Sequence, residues 1–187
     1  MFCASSRQVD LPYFKATKLI AKEIATHEII SIYGGGAVGL MGTYADTIIS
    51  NGGKIIGIIP KFMVEIEWAH KNLTKLVIVE DMHHRNQKMI KEADAVIALP
   101  DGCGTLEELL EVITLKRLGL FLKPIIIVNV KEFYDPLIEM LNLCIKEKFM
   151  SEKHKEMWTI IKDPTHILEA ISLSPKWKKD SINFATM

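Results

Sequence analysis

The chain has few cysteines, no excess charge of either sign and no long apolar segment. Its 187 residues contain three cysteines, scattered and without metal-like pairing, which disfavours both a disulfide framework and a zinc site. Lysine plus arginine equals aspartate plus glutamate at 23 each, so no global field attracts nucleic acid or a membrane surface. No apolar run approaches the roughly 20 residues that cross a bilayer. The sequence therefore predicts a reduced protein with no nucleic-acid partner and no membrane contact.

Targeting segments, repeats and low-complexity stretches are also missing. The N-terminus lacks the basic and then apolar pattern of a secretory signal, so we expect a soluble, cytoplasmic protein. An apolar content of 49% over 187 residues suffices for one domain with a full core and falls short of two. We expect that domain over residues 1–172. The stretch 173–187 has no periodicity and is expected to form an irregular tail, frayed or loosely attached.

Short apolar runs alternate with amphipathic stretches along the whole domain. The predicted strands are residues 2–4, 29–33, 54–59, 75–79, 95–99, 124–130 and 158–161, and the predicted helices lie near 13–27, 39–51, 82–92, 104–119, 134–149 and 165–172. Most strand candidates are continuous and β-branched, which is typical of strands buried on both faces. The pattern predicts an α/β, Rossmann-like open parallel sheet with helices on both faces, in a single domain. Ligands of such sheets bind outside the carboxyl ends of the strands.

A glycine-rich turn, YGGGAVGLMG, occupies residues 33–42 between a predicted strand and a predicted helix. Backbone N–H groups of such a turn approach a ligand closely, and the following helix directs its positive dipole end at the same place. Gly34, Gly36 and Gly39 match the spacing of the dinucleotide fingerprint, but the strand at 54–59 is not followed by the acid that holds a ribose. A nicotinamide dinucleotide is therefore disfavoured and a mononucleotide phosphate is not. The alternative is a tight turn without a ligand.

A second turn, LPDGCGTLEE, covers residues 99–108 and carries functional groups. The Thr105 hydroxyl and N–H are placed to reach a phosphate oxygen at the helix N-terminus. Glu107 and Glu111 are expected to complement the helix dipole. Glu108 instead falls on a second, partly apolar face of the helix, which predicts a semi-buried acid with a functional pKa. A salt-bridged structural acid is the alternative.

A third segment, MHHRNQKM, covers residues 82–89 at the start of another predicted helix. It places Arg85 and Lys88 in the first turns, where cations oppose the helix dipole unless an anion binds there. The alternative is a solvated basic face. His83 and His84 have no partner at metal-ligand spacing, and we interpret them as capping or exposed residues.

Two smaller features complete the candidate set. Cys103 lies at a predicted helix N-terminus, which lowers a thiol pKa, but no histidine partner is identifiable, so a nucleophilic role is disfavoured. Ser5 and Ser6 follow the first predicted strand at the ligand edge of the sheet. They are expected to bind phosphate or sugar, or to cap the next segment.

These segments resemble the Lonely Guy family of cytokinin-activating phosphoribohydrolases, long labelled possible lysine decarboxylases. The family hallmark PGGxGTxxE corresponds to PDGCGTLEE at residues 100–108, and companion segments correspond to residues 2–6, 33–42 and 82–85. The four segments occur in the family's order, and the resemblance extends from residue 2 to about residue 171. Such an ordered set is specific.

The resemblance implies hydrolysis of the N-glycosidic bond of a nucleoside 5′-monophosphate, which gives free base and ribose 5-phosphate. It assigns Arg85 and Glu108 as the catalytic pair, requires no cofactor or metal, and implies a homodimer, for which Val112 and Leu115 are candidate contact residues. The expected substrate- and phosphate-binding residues are Ser5, Gly34, Gly35, Gly36, Gly39, Met82, Lys88, Pro100, Asp101, Gly102, Cys103, Gly104 and Thr105. Lysine decarboxylation is disfavoured, because no lysine lies in a recognisable pyridoxal-phosphate context.

Two positions depart from the family pattern. Asp101 replaces the first glycine of the hallmark and puts a carboxylate beside the expected phosphate site, while Asn86 replaces the usual lysine after Arg85. Lys88 is a candidate to compensate for that lost charge. Both changes are expected to weaken phosphate binding or to shift substrate choice. A non-catalytic nucleotide-binding module of the same fold is therefore the alternative function, and a nicotinamide-dependent oxidoreductase is a third.

Overall fold

The apolar runs of the sequence form parallel strands that alternate with helices, as predicted for a Rossmann-like α/β fold. A computed structural model describes residues 1–66 and 68–184. The chain divides into two compact units, Met1–Ala93 and Asp94–Met187. Each unit contains one three-stranded parallel sheet. The α/β class and the parallel strand direction are thus confirmed, and the strands pair as two sheets of three.

The first unit carries its sheet in the order β1-β2-β3. Its elements are α1 (Leu11–Thr26), β1 (Ser31–Tyr33), α2 (Gly39–Ser50), β2 (Ile55–Pro60), α3 (Lys61–Glu65), β3 (Lys75–Val79) and α4 (Met82–Glu92). The central strand β2 is almost wholly buried, while β3 is partly exposed along its length. Both outer strands lie at an edge of this sheet, and β3 is the more exposed of the two.

The second unit carries its sheet in the order β4-β5-β6. Its strands and α-helices are β4 (Val96–Ala98), α5 (Cys103–Arg117), β5 (Ile125–Val128), α6 (Asp135–Lys146), β6 (Thr159–Ile161) and α7 (Ile167–Leu173). Short 3-10 helices occur at Val130–Glu132, Glu152–Met157, Pro164–His166 and Lys179–Phe184. The central strand β5 is a run of four buried β-branched residues, as parallel strands covered on both faces require.

The predicted first strand, residues 2–4, is not formed. Phe2 makes only an isolated bridge, although residues 2–4 are buried. The carbonyl of Ala4, the last of these residues, accepts from the Met41 N–H at the start of α2 at 3.0 Å, so this end of the segment bonds to a helix. The helix α3, which has no periodic signal in the sequence, was not predicted either.

The described part of the tail differs from the expected loose arm. The Trp177 indole Nε1–H donates to the Lys116 carbonyl at 2.7 Å, and its ring lies 6.3 Å from that of His154. A short 3-10 helix follows at Lys179–Phe184. These contacts attach the tail to the second unit. The last three residues of the expected tail, 185–187, lie outside the described residues.

No helix within the described ranges combines the length and the apolar character that crossing a bilayer requires.

Lys116 gives the fold a predicted pH dependence. Its side chain is only 1% exposed, its Nζ donates to the Lys123 carbonyl at 2.8 Å, and burial lowers its pKa from 10.5 to about 8. Between these values the unfolded chain binds more protons than the folded one, so this residue makes the protein more stable as the pH rises. We expect a gain of about 2–3 kcal/mol between pH 8 and pH 10.

The measurement is urea denaturation across this pH range. Lys116→Met should remove the gain, whereas the exposed Lys176→Met should retain it. A Lys116→Met protein with the wild-type pH profile would contradict the assignment.

Candidate active-site residues

The glycine turn of the first unit connects β1 to α2, and its conformation explains two of its glycines. Gly35 and Gly39 have φ values of +78° and +62°, a region that residues with a side chain rarely adopt. A Cβ on Gly39 would collide with the Ser5 carbonyl. The structure therefore brings Ser5 directly against this turn, as expected from the sequence, and Ser5 is exposed there.

A short segment at residues 68–70 supports the same turn. The Ala37 N–H donates to the Trp68 carbonyl and the His70 N–H donates to the Gly35 carbonyl, both at 2.9 Å. The His70 Nε2 lies 3.0 Å from a carboxylate oxygen of Asp46 in α2. Because these hydrogen bonds join residues that are distant in sequence, they fix the conformation of the turn. They also occupy the Ala37 N–H.

Arg85 is the charged residue that the structure places at this turn. The Asp81 carboxylate caps α4 by accepting from the His84 N–H at 2.8 Å, which starts the helix so that Arg85 falls in its first turn. Arg85 is 7% exposed, and its Nη1 lies 3.6 Å from the position that a Cβ on Gly34 would take. A solvated basic face is thereby excluded for Arg85. The guanidinium lies against the glycine turn.

Met41 is a turn contact that the sequence reasoning missed. Its sulfur lies 3.3 Å and 3.2 Å from the positions that Cβ atoms on Gly34 and Gly36 would take. A side chain at either glycine would therefore press on Met41. The only signal in the sequence is its place, two residues after Gly39 in the turn segment.

The remaining residues of the third segment are placed differently from Arg85. Lys88 Nζ donates to Glu92 at 2.6 Å in an i,i+4 ion pair, so its charge is directed along α4. His83 and His84 are exposed. The N–H and ring of His84 bond to Asp81, which holds the pKa of that carboxyl below its usual range. The interpretation of these histidines as capping or exposed residues is confirmed.

The second glycine turn connects β4 to α5, and Asp101 occupies its polar groups. One oxygen of the Asp101 carboxylate accepts from the Gly102 N–H at 2.7 Å. The other accepts from the Thr105 hydroxyl at 2.9 Å. Thr105 is 1% exposed. Two of the groups expected to hold a phosphate, the Gly102 N–H and the Thr105 hydroxyl, therefore donate to a carboxylate of the chain itself.

Gly102 and Gly104 have open space around them. Apart from adjacent residues and the backbone of α5 itself, no described heavy atom comes within 4 Å of a Cβ built on either residue, and neither has a positive φ. The backbone conformation thus does not require glycine at either position. Around them Pro100 is buried and Cys103 is exposed and free.

Glu108 lies one turn into α5 and is 5% exposed, as predicted from its helical face. Its neighbour Glu107 is exposed. Carboxylates are rarely buried in folded proteins, and active sites are where buried acids are concentrated. Glu108 is therefore the carboxylate of α5 best suited to chemistry.

Asn129 and Tyr134 support the second turn and were not predicted. The Tyr134 hydroxyl donates to the Leu99 carbonyl, directly before Pro100, at 2.7 Å. The Asn129 side-chain oxygen accepts from the Tyr134 N–H at 2.7 Å. Both residues are buried. The only indication of this role in the sequence is the position of Asn129, directly after a buried strand.

One expected contact residue of a homodimer is placed differently. Val112 is fully buried within the chain, and therefore offers no surface to a partner. Leu115 is partly buried. The sequence correctly predicted a second apolar face on α5. Part of that face is buried by other residues of the same chain.

Comparison with known proteins places these residues in a family. The family model described as "Possible lysine decarboxylase" matches residues 41–171. A probable cytokinin riboside 5′-monophosphate phosphoribohydrolase of Oryza sativa subsp. japonica is 36% identical over 180 residues, which cover 96% of this chain and 72% of the relative. A cytokinin riboside 5′-monophosphate phosphoribohydrolase of Arabidopsis thaliana is 39% identical over 165 residues, with 88% and 76% coverage. Another from Arabidopsis thaliana is 34% identical over 195 residues, with 99% and 92% coverage.

Solved structures share the fold. The molybdenum cofactor binding protein of Rippkaea orientalis aligns with a TM-score of 0.69 at 20% identity and covers 88% of this chain and 89% of that one. The molybdenum cofactor carrier protein of Chlamydomonas reinhardtii aligns with a TM-score of 0.67 at 16% identity, with 90% and 91% coverage. At these identities the likeness concerns the fold alone. The three curated relatives are named for phosphoribohydrolase activity, not for decarboxylation, and the chain belongs to their family, the Lonely Guy family.

Proposed function

We propose that the protein is a nucleoside 5′-monophosphate phosphoribohydrolase, which hydrolyses a cytokinin-type or purine nucleotide to free base and ribose 5-phosphate. The observation that carries the proposal is the buried guanidinium of Arg85 against Gly34 in the glycine turn. A guanidinium beside a glycine turn offers charged, planar hydrogen-bond donors to an anionic substrate. Family membership supports the same activity.

The reaction breaks the bond between C1′ of the sugar and a nitrogen of the base. The electron pair stays with the base, which takes up a proton, and water adds to C1′ and loses a proton. Positive charge therefore develops on the sugar ring. We assign the carboxylate of Glu108 to stabilise this charge or to orient the water, and its burial strengthens such an interaction.

We assign Arg85 to a negatively charged group of the substrate. Its guanidinium is permanently protonated and offers planar donors, which suits either the 5′-phosphate or the departing base. The glycine turns and the serine and threonine hydroxyls are assigned to the phosphate. Binding energy from that remote group orients the sugar for reaction.

The test is base release, followed by chromatography, from AMP and N6-isopentenyl-AMP with lysine as a parallel substrate. We expect free base from at least one nucleotide and no amine product from lysine. Decarboxylation of lysine without base release would overturn the proposal.

A non-catalytic nucleotide-binding module remains the second candidate, because Asp101 already holds the Gly102 N–H and the Thr105 hydroxyl. A nucleotide phosphate must displace this carboxylate or lie beside it, and both are unfavourable for two anions. Binding of AMP without base release would favour this candidate.

Asp101→Gly restores the family's glycine and tests the effect of the carboxylate. We expect the KM for the nucleotide to fall about tenfold, which corresponds to about 1.4 kcal/mol of relieved repulsion. The same variant loses the hydrogen bonds that the Asp101 carboxylate accepts from the Gly102 N–H and the Thr105 hydroxyl, and should be less stable by about 1 kcal/mol. Asp101→Asn, which keeps the size and removes the charge, is the matched control and should lower KM as well. An unchanged KM in both variants would contradict a role of this charge in substrate binding.

We further propose a cytoplasmic homodimer as the working form, as in the family that the chain belongs to. Sedimentation equilibrium at micromolar concentration should give twice the mass of the 187-residue chain. A monomer with full activity would contradict the dimer and leave the proposed reaction standing.

A further inference from the structure

Asn86 follows Arg85 in α4 and has no part in the mechanism above. It is 2% exposed, and its side-chain oxygen accepts from the Arg85 Nε–H at 3.2 Å. Buried amides in folded proteins are usually kept for the hydrogen bonds they make. The partner here is the side chain proposed to act on the substrate.

This bond restrains the direction of the guanidinium. The five donors of an arginine are fixed in one plane, so a bond to Nε on one edge limits where the two Nη groups point. Nη1 lies 3.6 Å from the position of a Cβ on Gly34. The guanidinium is rigid, so the hydrogen bond of its Nε to Asn86 also determines how its Nη1 is placed against the glycine turn.

The neutrality of Asn86 matters for the charge of the site. An aspartate at this position would offer the same acceptor and also oppose the cation, while a lysine, usual in the family, would offer no acceptor. Asparagine provides direction without a charge of its own. Where the family usually has a lysine charge, this chain has a hydrogen bond from the Arg85 Nε–H to the Asn86 side chain.

We propose that Asn86 is a positioning residue, which turns the guanidinium of Arg85 so that its Nη groups face the glycine turn and the substrate. The inference rests on the proposed function, because it assigns Asn86 a role through Arg85. Its structural part, the orientation of the guanidinium, is independent of turnover.

The first test is the NMR signal of the arginine Nε–H groups. The sequence has three arginines, Arg7, Arg85 and Arg117, so the spectrum is simple and Arg85→Lys identifies the signal of Arg85. We expect Asn86→Leu, which has similar volume and no acceptor, to shift this signal and to increase its hydrogen exchange at least tenfold. Asn86→Asp should keep the signal protected. Gln87→Leu alters the adjacent exposed amide and should leave the signal unchanged.

The second test is a double-mutant cycle on base release. Asn86→Leu should lower kcat about 10-fold to 100-fold in the wild-type background, and Asn86→Asp should lower it less. In the Arg85→Lys background there is no Nε–H to orient, so Asn86→Leu should have no further effect. An equal loss in both backgrounds, or an unchanged Nε–H signal in Asn86→Leu, would overturn the positioning role.

The two proposals fail separately. Absence of base release from every nucleotide, together with the expected NMR response, would contradict the proposed function and leave the orientation of Arg85 by Asn86 intact. Normal base release in Asn86→Leu with an unchanged NMR signal would contradict the positioning role alone.

Discussion

Glu108→Gln is expected to lower kcat for base release about 10²-fold to 10³-fold, the range typical of losing one charge-stabilising or acid–base group. The substitution keeps the size of the side chain and removes the negative charge. Since the sugar becomes positive as the base departs, the loss falls on the transition state. The KM for the nucleotide should therefore change little. Steady-state kinetics by chromatography of the released base measures both constants.

Glu107 provides the matched control for this experiment. Glu107→Gln makes the same chemical change one residue earlier in α5, on an exposed side chain, and should retain full activity. Equal losses in both variants would indicate a general effect of charge on α5. Full activity of Glu108→Gln would remove Glu108 from the mechanism.

Arg85→Met is expected to lower kcat/KM about 10²-fold to 10³-fold. The variant keeps an apolar stem in the buried place against the glycine turn and removes the permanent positive charge, which is worth several kcal/mol toward an anion in a water-poor site. Arg85→Lys should recover only part of the loss, because an ammonium lacks the planar arrangement of donors. Circular dichroism at the same temperature checks that each variant is folded.

The division of this loss between kcat and KM reports what Arg85 contacts. A rise in KM alone assigns the guanidinium to the ground-state phosphate, and a fall in kcat assigns it to the departing base or the transition state. Lys91→Met removes an exposed cation from the same helix and should retain wild-type values. Wild-type kcat/KM in Arg85→Met would contradict the proposed role of Arg85 in the reaction.

The sequence predicted those features that depend on local patterns. The bounds of α4, Met82–Glu92, were predicted as observed, because the segment directly follows a predicted strand. The burial of Glu108 followed from its place on a second apolar face of α5. Chains of β-branched residues likewise located the buried strands.

Features that depend on contacts distant in sequence were not predictable in this way. Tyr134 bonds to the Leu99 carbonyl across 35 positions, and nothing local to either residue indicates the other. The segment predicted as the first strand is buried, and its Ala4 carbonyl accepts from the Met41 N–H at the start of α2, a contact distant in sequence. The hydrogen bond from the Thr105 hydroxyl to Asp101 could be recognised only once the geometry of the α5 N-terminus was known. The sequence alone indicated only that a carboxylate lies beside the expected phosphate site.

The most direct test of the central claim is a mass balance on the wild-type protein with N6-isopentenyl-AMP and AMP. Free base, ribose 5-phosphate, nucleoside and inorganic phosphate are quantified in the same reaction. We expect free base and ribose 5-phosphate in equal amounts, without nucleoside or inorganic phosphate. Release of phosphate with intact nucleoside, or no product despite nucleotide binding, would contradict the central claim.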